Sequence, residues 1–218
     1  GLQTPGKTYL PRRSNLEKYL PPDVLKTHHQ GLELLENPQA LSLPAEERPT
    51  ITRPTLPSTP SMREGKIGIW IHEEDHSIEQ SPHTSLQPKS IIATRDTATW
   101  KRLCYPKIKT CWLETAIDDG AKRASNAFGI KVEGSGDASV TEALLRWAAE
   151  HQLQQIVAMR PEIGPLHDQL GHLQAALSNA GIELIFFDRP EDLALRPLAT
   201  GGFFSYWEKM QKSLKTNG

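Results

Sequence analysis

Residues 155–188 read QIVAMRPEIGPLHDQLGHLQAALSNAGIELIFFD. A short apolar run, Gln155–Met159, leads through a polar loop to Pro165 and then to Leu166, Leu170, Leu173, Leu177 and Ala180. That spacing is one face of a helix, and Pro165 suits its first turn, where the missing N–H has no intrahelical partner to lose. Gly181 stops the helix, and IELIFFD follows as a second apolar strand. The same pattern extends upstream. Val140, Ala143, Leu144 and Trp147 share a helical face over 140–151, and IKVEG precedes them as a strand. Before that, apolar or small residues at 113, 116, 117, 120, 121, 124 and 128 mark a helix that Gly129 ends. KIGIWIH at 66–72 and SIIAT at 90–94 complete the set of strands. Short apolar strands alternating with helices predict a parallel sheet covered on both faces. The fold class read from this is α/β, a five-stranded parallel doubly wound, Rossmann-like sheet. Right-handed crossovers with one reversal give the order 3-2-1-4-5.

Outside this region the composition changes. Ten of the 17 prolines fall in residues 1–60. Residues 37–65 recur in proline without helical or strand periodicity, which reads as a Pro-rich linker running over the surface. Residues 1–36 contain Leu16, Tyr19, Leu20, Val24 and Leu25, enough for short helical turns broken at Pro21-Pro22 but too few for a core. Residues 201–218 form an amphipathic C-terminal helix. Phe203, Phe204, Trp207 and Met210 on one side of it are expected to pack on the α/β domain of residues 66–200 or on the segment around Leu16–Leu25, the alternative being a face that covers a domain outside these residues and is partly bare here. The first residue is Gly1 rather than Met, so a preceding segment is expected.

A formal charge of -1 over 218 residues argues against autonomous nucleic-acid binding, which needs a clustered basic surface. No apolar run is long enough for a transmembrane helix, so no membrane partner is expected. Cys104 and Cys111 match no metal-binding spacing and read as reduced thiols in a cytoplasmic protein. No metal site is assigned.

Ligands of doubly wound sheets sit beyond the carboxyl ends of the strands, so the loops there carry the candidate chemistry. His72-Glu73-Glu74-Asp75-His76 follows the first strand. It has the spacing of a zinc HExxH motif but not the helix that motif needs, and it reads as a solvated loop or ligand rim. Gly134, Ser135, Gly136 and Asp137 form a glycine loop before a helix, suited to cradling an anion with backbone N–H groups. The competing reading is a turn closed by a Ser139–Glu142 capping box, with Asp137 as an alternative cap. Arg160 is a further candidate for the ligand rim, with pairing to a surface carboxylate as its alternative. Asp188-Arg189-Pro190-Glu191-Asp192 reads as a solvated turn. His151, His167 and His172 read as surface or boundary histidines, and no nucleophile–base arrangement stands out.

The opening GLQTPGKTYLPRRSNLEKYLP, Gly1–Pro21, resembles the end of the helical FAD-binding domain of the photolyase/cryptochrome family. It is similar to a bacterial photolyase-related branch in which that domain precedes the α/β antenna-like domain. KIGIWIHEEDHS, the helix–strand repeats and LATGGFF at 198–204 also resemble that antenna domain. The departure is at His72-Glu73-Glu74-Asp75, where the family's first strand leads into an Arg-x-Asp-Leu-Arg run. The resemblance implies the C-terminal portion of a photolyase/cryptochrome-like flavoprotein, with residues 1–36 as the tail of its helical domain. It implies FAD in the parent protein, an antenna pigment of unknown identity, and the missing helical FAD domain of the same chain as a partner. DNA would be met only through that parent, which resembles a deoxyribodipyrimidine photolyase; the resemblance implies light-driven DNA repair or photoreception for it. The 218 residues alone are expected to be neither catalytic nor tightly flavin-binding. The alternatives are a stand-alone α/β nucleotide- or anion-binding module at Gly134–Ser139 and a structural interaction domain.

Overall fold

Five short apolar strands pair in parallel as one sheet: β1 (Ile67–Ile71), β2 (Ser90–Ala93), β3 (Val132–Gly134), β4 (Gln155–Met159) and β5 (Glu183–Phe187). Their order across the sheet is β3-β2-β1-β4-β5, as the crossover argument predicts. The computed structural model describes residues 3–4, 7–8, 12–37, 62, 64–81, 85–136, 138–200 and 202–216. The chain divides into two units, Gly1–Arg53 and Pro54–Gly218, and the sheet belongs to the second. Most of the linker region 37–65 lies outside the described residues.

The helices of the second unit are α1 (Thr97–Arg102), α2 (Lys107–Phe128), α3 (Val140–His151), α4 (Pro165–Asn179), α5 (Pro190–Leu195) and α6 (Phe203–Thr216). Because side chains alternate across each strand, the sheet feeds two separate cores. Trp70, Ile92 and Ile156 point to the layer of α3 and α4, where they meet Leu144, Trp147 and Leu173. Ile69, Ile71 and Ile91 point to the other face, against Trp100, Leu113 and Ile117 of α1 and α2. Local signals set the helix ends. Ser139 and Glu142 form a complete capping box on α3, Asp96 caps α1, and left-handed Gly129 closes α2.

Gly68 sits where β1 and α3 come closest. A methyl group there would overlap the Trp147 indole and the Leu153 side chain. The buried Trp147 ring is held in turn by its Nε1–H, which donates to Ser90 Oγ at 2.9 Å.

Three elements differ from expectation. Helix α2 begins at Lys107, not near Leu113; its first turns expose Ile108 and Trp112, so the apolar spacing starts only where the buried face does. Pro190–Leu195 is helical rather than a solvated turn, with Pro190 in its first turn. In α6, Phe203 and Phe204 are 66% and 81% exposed and Trp207 is 43% exposed, instead of packed on the α/β layers. The rings meet one another, Phe203 stacking on Trp207 at 6.0 Å. The helix rests on the turn Arg196–Leu198, and Lys209 Nζ donates to Thr200 Oγ1 at 2.7 Å. The sheet faces themselves are already covered by α1–α4.

In the first unit, Gln3–Thr4 pairs antiparallel with Lys7–Thr8, and helices Arg13–Tyr19 and Pro22–Thr27 break at Pro21-Pro22 as expected. Leu32 is the one buried apolar side chain among that unit's described residues, so those residues form no core of their own.

Gly68→Ala is expected to destabilise the protein by roughly 1–3 kcal/mol through overpacking, read as a fall of several degrees in thermal midpoint. Trp207→Ala is expected to move the midpoint by no more than about 2 °C, since that side chain is 43% exposed and belongs to neither core. Both are checked by thermal melts followed by circular dichroism.

Candidate functional site

The order of strands reverses between β1 and β4, and the loops leaving their carboxyl ends form the candidate site. His72 follows β1 directly and is buried. The Glu74 backbone N–H donates to its Nδ1 at 3.2 Å, which makes Nε2 the protonated nitrogen; Nε2 then donates to the Met159 carbonyl at 2.8 Å. A neutral imidazole thus joins the end of β1 to the end of β4. Burial lowers its pKa to about 4, against some support from the Met159 carbonyl and Asp75. The Trp70 ring meets it edge-on at 5.1 Å.

The rest of the loop, read as solvated or as a ligand rim, is held by pairing with distant residues, while Glu74 itself stays exposed. Asp75 receives both Nη atoms of Arg189, which also donates to the Ser77 carbonyl at 3.1 Å. Burial pushes the Asp75 carboxyl up, but Arg189 and the Ser77 N–H hold it net below the usual carboxylate range. Glu73 accepts from Trp100 Nε1 at 2.5 Å, and burial raises its carboxyl. Glu74 accepts from the Glu162 backbone N–H at 3.0 Å and is also raised by burial. The loop after β5 is equally tied down. Asp188, with its carboxylate 5% exposed, binds Arg160 at 3.0 Å and Arg196 at 3.2 Å.

These groups surround a cavity of about 290 Å³ lined by Glu74, Asp75, Met159, Arg160, Glu162, Phe187, Asp188, Arg189 and Asp192. Five carboxylates face two guanidiniums, and both guanidiniums already hold a carboxylate. The lining therefore accepts hydrogen bonds more readily than it donates them. It suits a ligand presenting N–H groups better than one presenting a phosphate.

Of the residues singled out in the sequence, Arg160 lines this cavity, while its guanidinium is paired with Asp188. Gly134, Ser135 and Gly136 lie elsewhere, at the end of the edge strand β3. β3 and β4 are three strand positions apart, about 14 Å at the usual strand spacing. The glycine loop and Arg160 are not one site. In the loop, Ser135 is buried and its Oγ accepts from the Arg95 N–H at 3.2 Å. Arg146 Nη2 donates to its carbonyl at 3.2 Å, and Gly136 takes the left-handed φ of 64° that the turn requires. Asp137 lies outside the described residues. The Ser139 N–H donates to Glu142 Oε2 at 3.2 Å, so the first turn of α3 is closed by its own carboxylate. The sequence reading missed His72 as a buried link and the Asp75–Arg189 clamp. Placement of His72 straight after a strand was a signal for the first, but nothing marked a pair 114 residues apart.

Among the described residues, no helix is long and apolar enough to cross a membrane. No protein-family model matches the chain, and no curated protein matches it.

With a folded pKa of about 4 against 6.5 unfolded, the stability His72 contributes is complete above pH 6.5 and is lost as pH falls towards 4. The loss is on the order of 3 kcal/mol. In NMR titrations of the folded protein, the His72 ring signals are expected to hold their neutral positions down to about pH 5. A ring titrating near 6.5 would contradict the burial account.

Proposed function

We propose that these 218 residues serve as part of a photolyase/cryptochrome-like flavoprotein, carrying its antenna-like α/β domain. The observation that carries this reading is the segment GLQTPGKTYLPRRSNLEKYLP at Gly1–Pro21, with its resemblance to the end of the helical FAD-binding domain. A five-stranded parallel sheet later in the chain supports it, since the resembled branch has its α/β domain in that position. In this reading FAD belongs to the helical domain of the same polypeptide, and light-driven electron transfer to damaged DNA belongs to that parent. The α/β domain supports the helical domain and holds a pigment against the acidic cavity at the carboxyl ends of β1, β4 and β5. The lining favours a pigment with N–H donors directed at carboxylates.

The rival reading, an independent anion-binding module on the Gly134–Ser139 loop, has the electrostatics against it. Glu142 places a carboxylate on the N–H group that an anion would need, and Ser139 occupies the Glu142 N–H.

Two measurements test the proposal. The full-length gene product is expected to purify yellow, with flavin absorption that changes on illumination under reducing conditions. Residues 1–218 incubated with FAD and desalted are expected to retain no stoichiometric flavin. A colourless full-length protein, or tight flavin binding by the 218 residues alone, would overturn the assignment.

A further inference from the structure

At the opposite end of the sheet, Glu133 of β3 and Glu150 and His151 from the last turn of α3 bring three donor atoms within 4.8 Å of one another. We propose that this triad is a binding site for a divalent transition-metal ion, with zinc as the best-matched member of the class. The donor set is one imidazole nitrogen and two carboxylate oxygens, each a ligand type that Zn²⁺ takes. Metal–ligand bonds of about 2.0–2.2 Å place donors roughly 3.4 Å apart in a tetrahedron, inside the 4.8 Å spread of the triad.

Two features beyond the cluster favour a cation there. The first is a supporting shell built into the core. Trp147 Nε1 donates to Ser90 Oγ at 2.9 Å, and Ser90 Oγ donates to Glu133 Oε1 at 2.7 Å. Trp147 and Ser90 are both buried, so the Glu133 carboxylate is aimed by fixed groups, and its second oxygen is left for a metal. The Trp147 ring also meets the His151 ring edge-on at 6.3 Å, restricting the imidazole. The second is charge. His151 Nε2 lies 2.7 Å from Glu133 Oε1, but Glu150 has no hydrogen bond or ion pair among the described residues. Two carboxylates at the carboxyl terminus of α3 oppose the negative end of its dipole, and a bound cation there reverses that repulsion. With the metal bound, the ring proton of His151 sits on Nδ1 and the Nε2 lone pair takes the metal. The inference does not depend on the flavoprotein reading.

The test uses the 218-residue chain with Cys104→Ser and Cys111→Ser, which removes thiolate ligands; both cysteines are exposed. After treatment with EDTA and desalting, the protein is titrated with Co²⁺ and with Zn²⁺. One equivalent of Co²⁺ is expected to give the intense visible bands of a four-coordinate site, and one equivalent of Zn²⁺ is expected to displace it and raise the thermal midpoint. Glu150→Gln changes an exposed side chain that the fold does not use, yet it is expected to weaken Co²⁺ binding at least about tenfold. His151→Ala is expected to abolish the visible bands. No stoichiometric uptake of either metal would overturn the proposal. So would uptake that survives both Glu150→Gln and His151→Ala, because the ion would then be held elsewhere, for example in the acidic cavity.

Discussion

The Trp147 indole lying against Gly68 is the contact on which most of this domain depends. Only a residue without a side chain lets α3 approach β1 so closely, and only a large ring fills the space that results. The contact sets how α3 lies on the sheet. It also places the indole N–H at Ser90, where β2 starts, and through Ser90 it reaches Glu133 on β3. A single side chain thus packs a core and fixes polar groups on two strands. Buried tryptophans need such an outlet, because an unpartnered N–H in that environment costs about 1–3 kcal/mol. Trp70 uses the same solution on β1, donating to Thr94 Oγ1 at 2.8 Å.

The other end of the sheet is held by charge pairing. Arg189 with Asp75, Arg160 with Asp188, and Arg196 with Glu162 and Asp188 tie the loops after β1, β4 and β5 to one another. Asp75 and Asp188 are largely shielded from water, and each has a guanidinium to offset its desolvation. The result is a rigid rim, and one whose arginines are already occupied. His72 belongs to the same construction. As a neutral donor and acceptor it links two strand ends without adding a charge to a crowded site.

How much of this was legible in the sequence follows from the range of each interaction. The strands and helices were, because their signals are local: leucines at helical spacing over 166–177, Gly129 and Gly181 as stops, and Ser139 with Glu142 as a cap. The start of α2 was not, since Ile108 and Trp112 face outward and break the apolar pattern before Leu113. The pairing within the carboxyl-end loops was not legible because charged residues after a strand look alike in sequence, whether exposed or paired across the fold. Asp75 and Arg189 become neighbours only when β1 and β5 take their places in the sheet. Whether Phe203 and Phe204 would be covered was left open for a related reason. An apolar helical face specifies that something is to be covered, while the layers it might cover are already occupied by other helices.

The two termini of α3 show why the same residue type has opposite meanings at two positions. At the amino terminus, the Glu142 carboxylate accepts from the Ser139 N–H and lies at the positive end of the helix dipole. There it completes the helix and removes the vacancy that an anion would fill. At the carboxyl terminus, Glu150 lies at the negative end, beside Glu133 and without a partner of its own among the described residues. Nothing about helix formation favours a carboxylate there, and the dipole opposes it by about 0.3–1 kcal/mol. A glycine loop ahead of a helix draws attention to the amino end, but the local chemistry there is already satisfied. The unmet electrostatic demand is at the other end, and its sign calls for a cation.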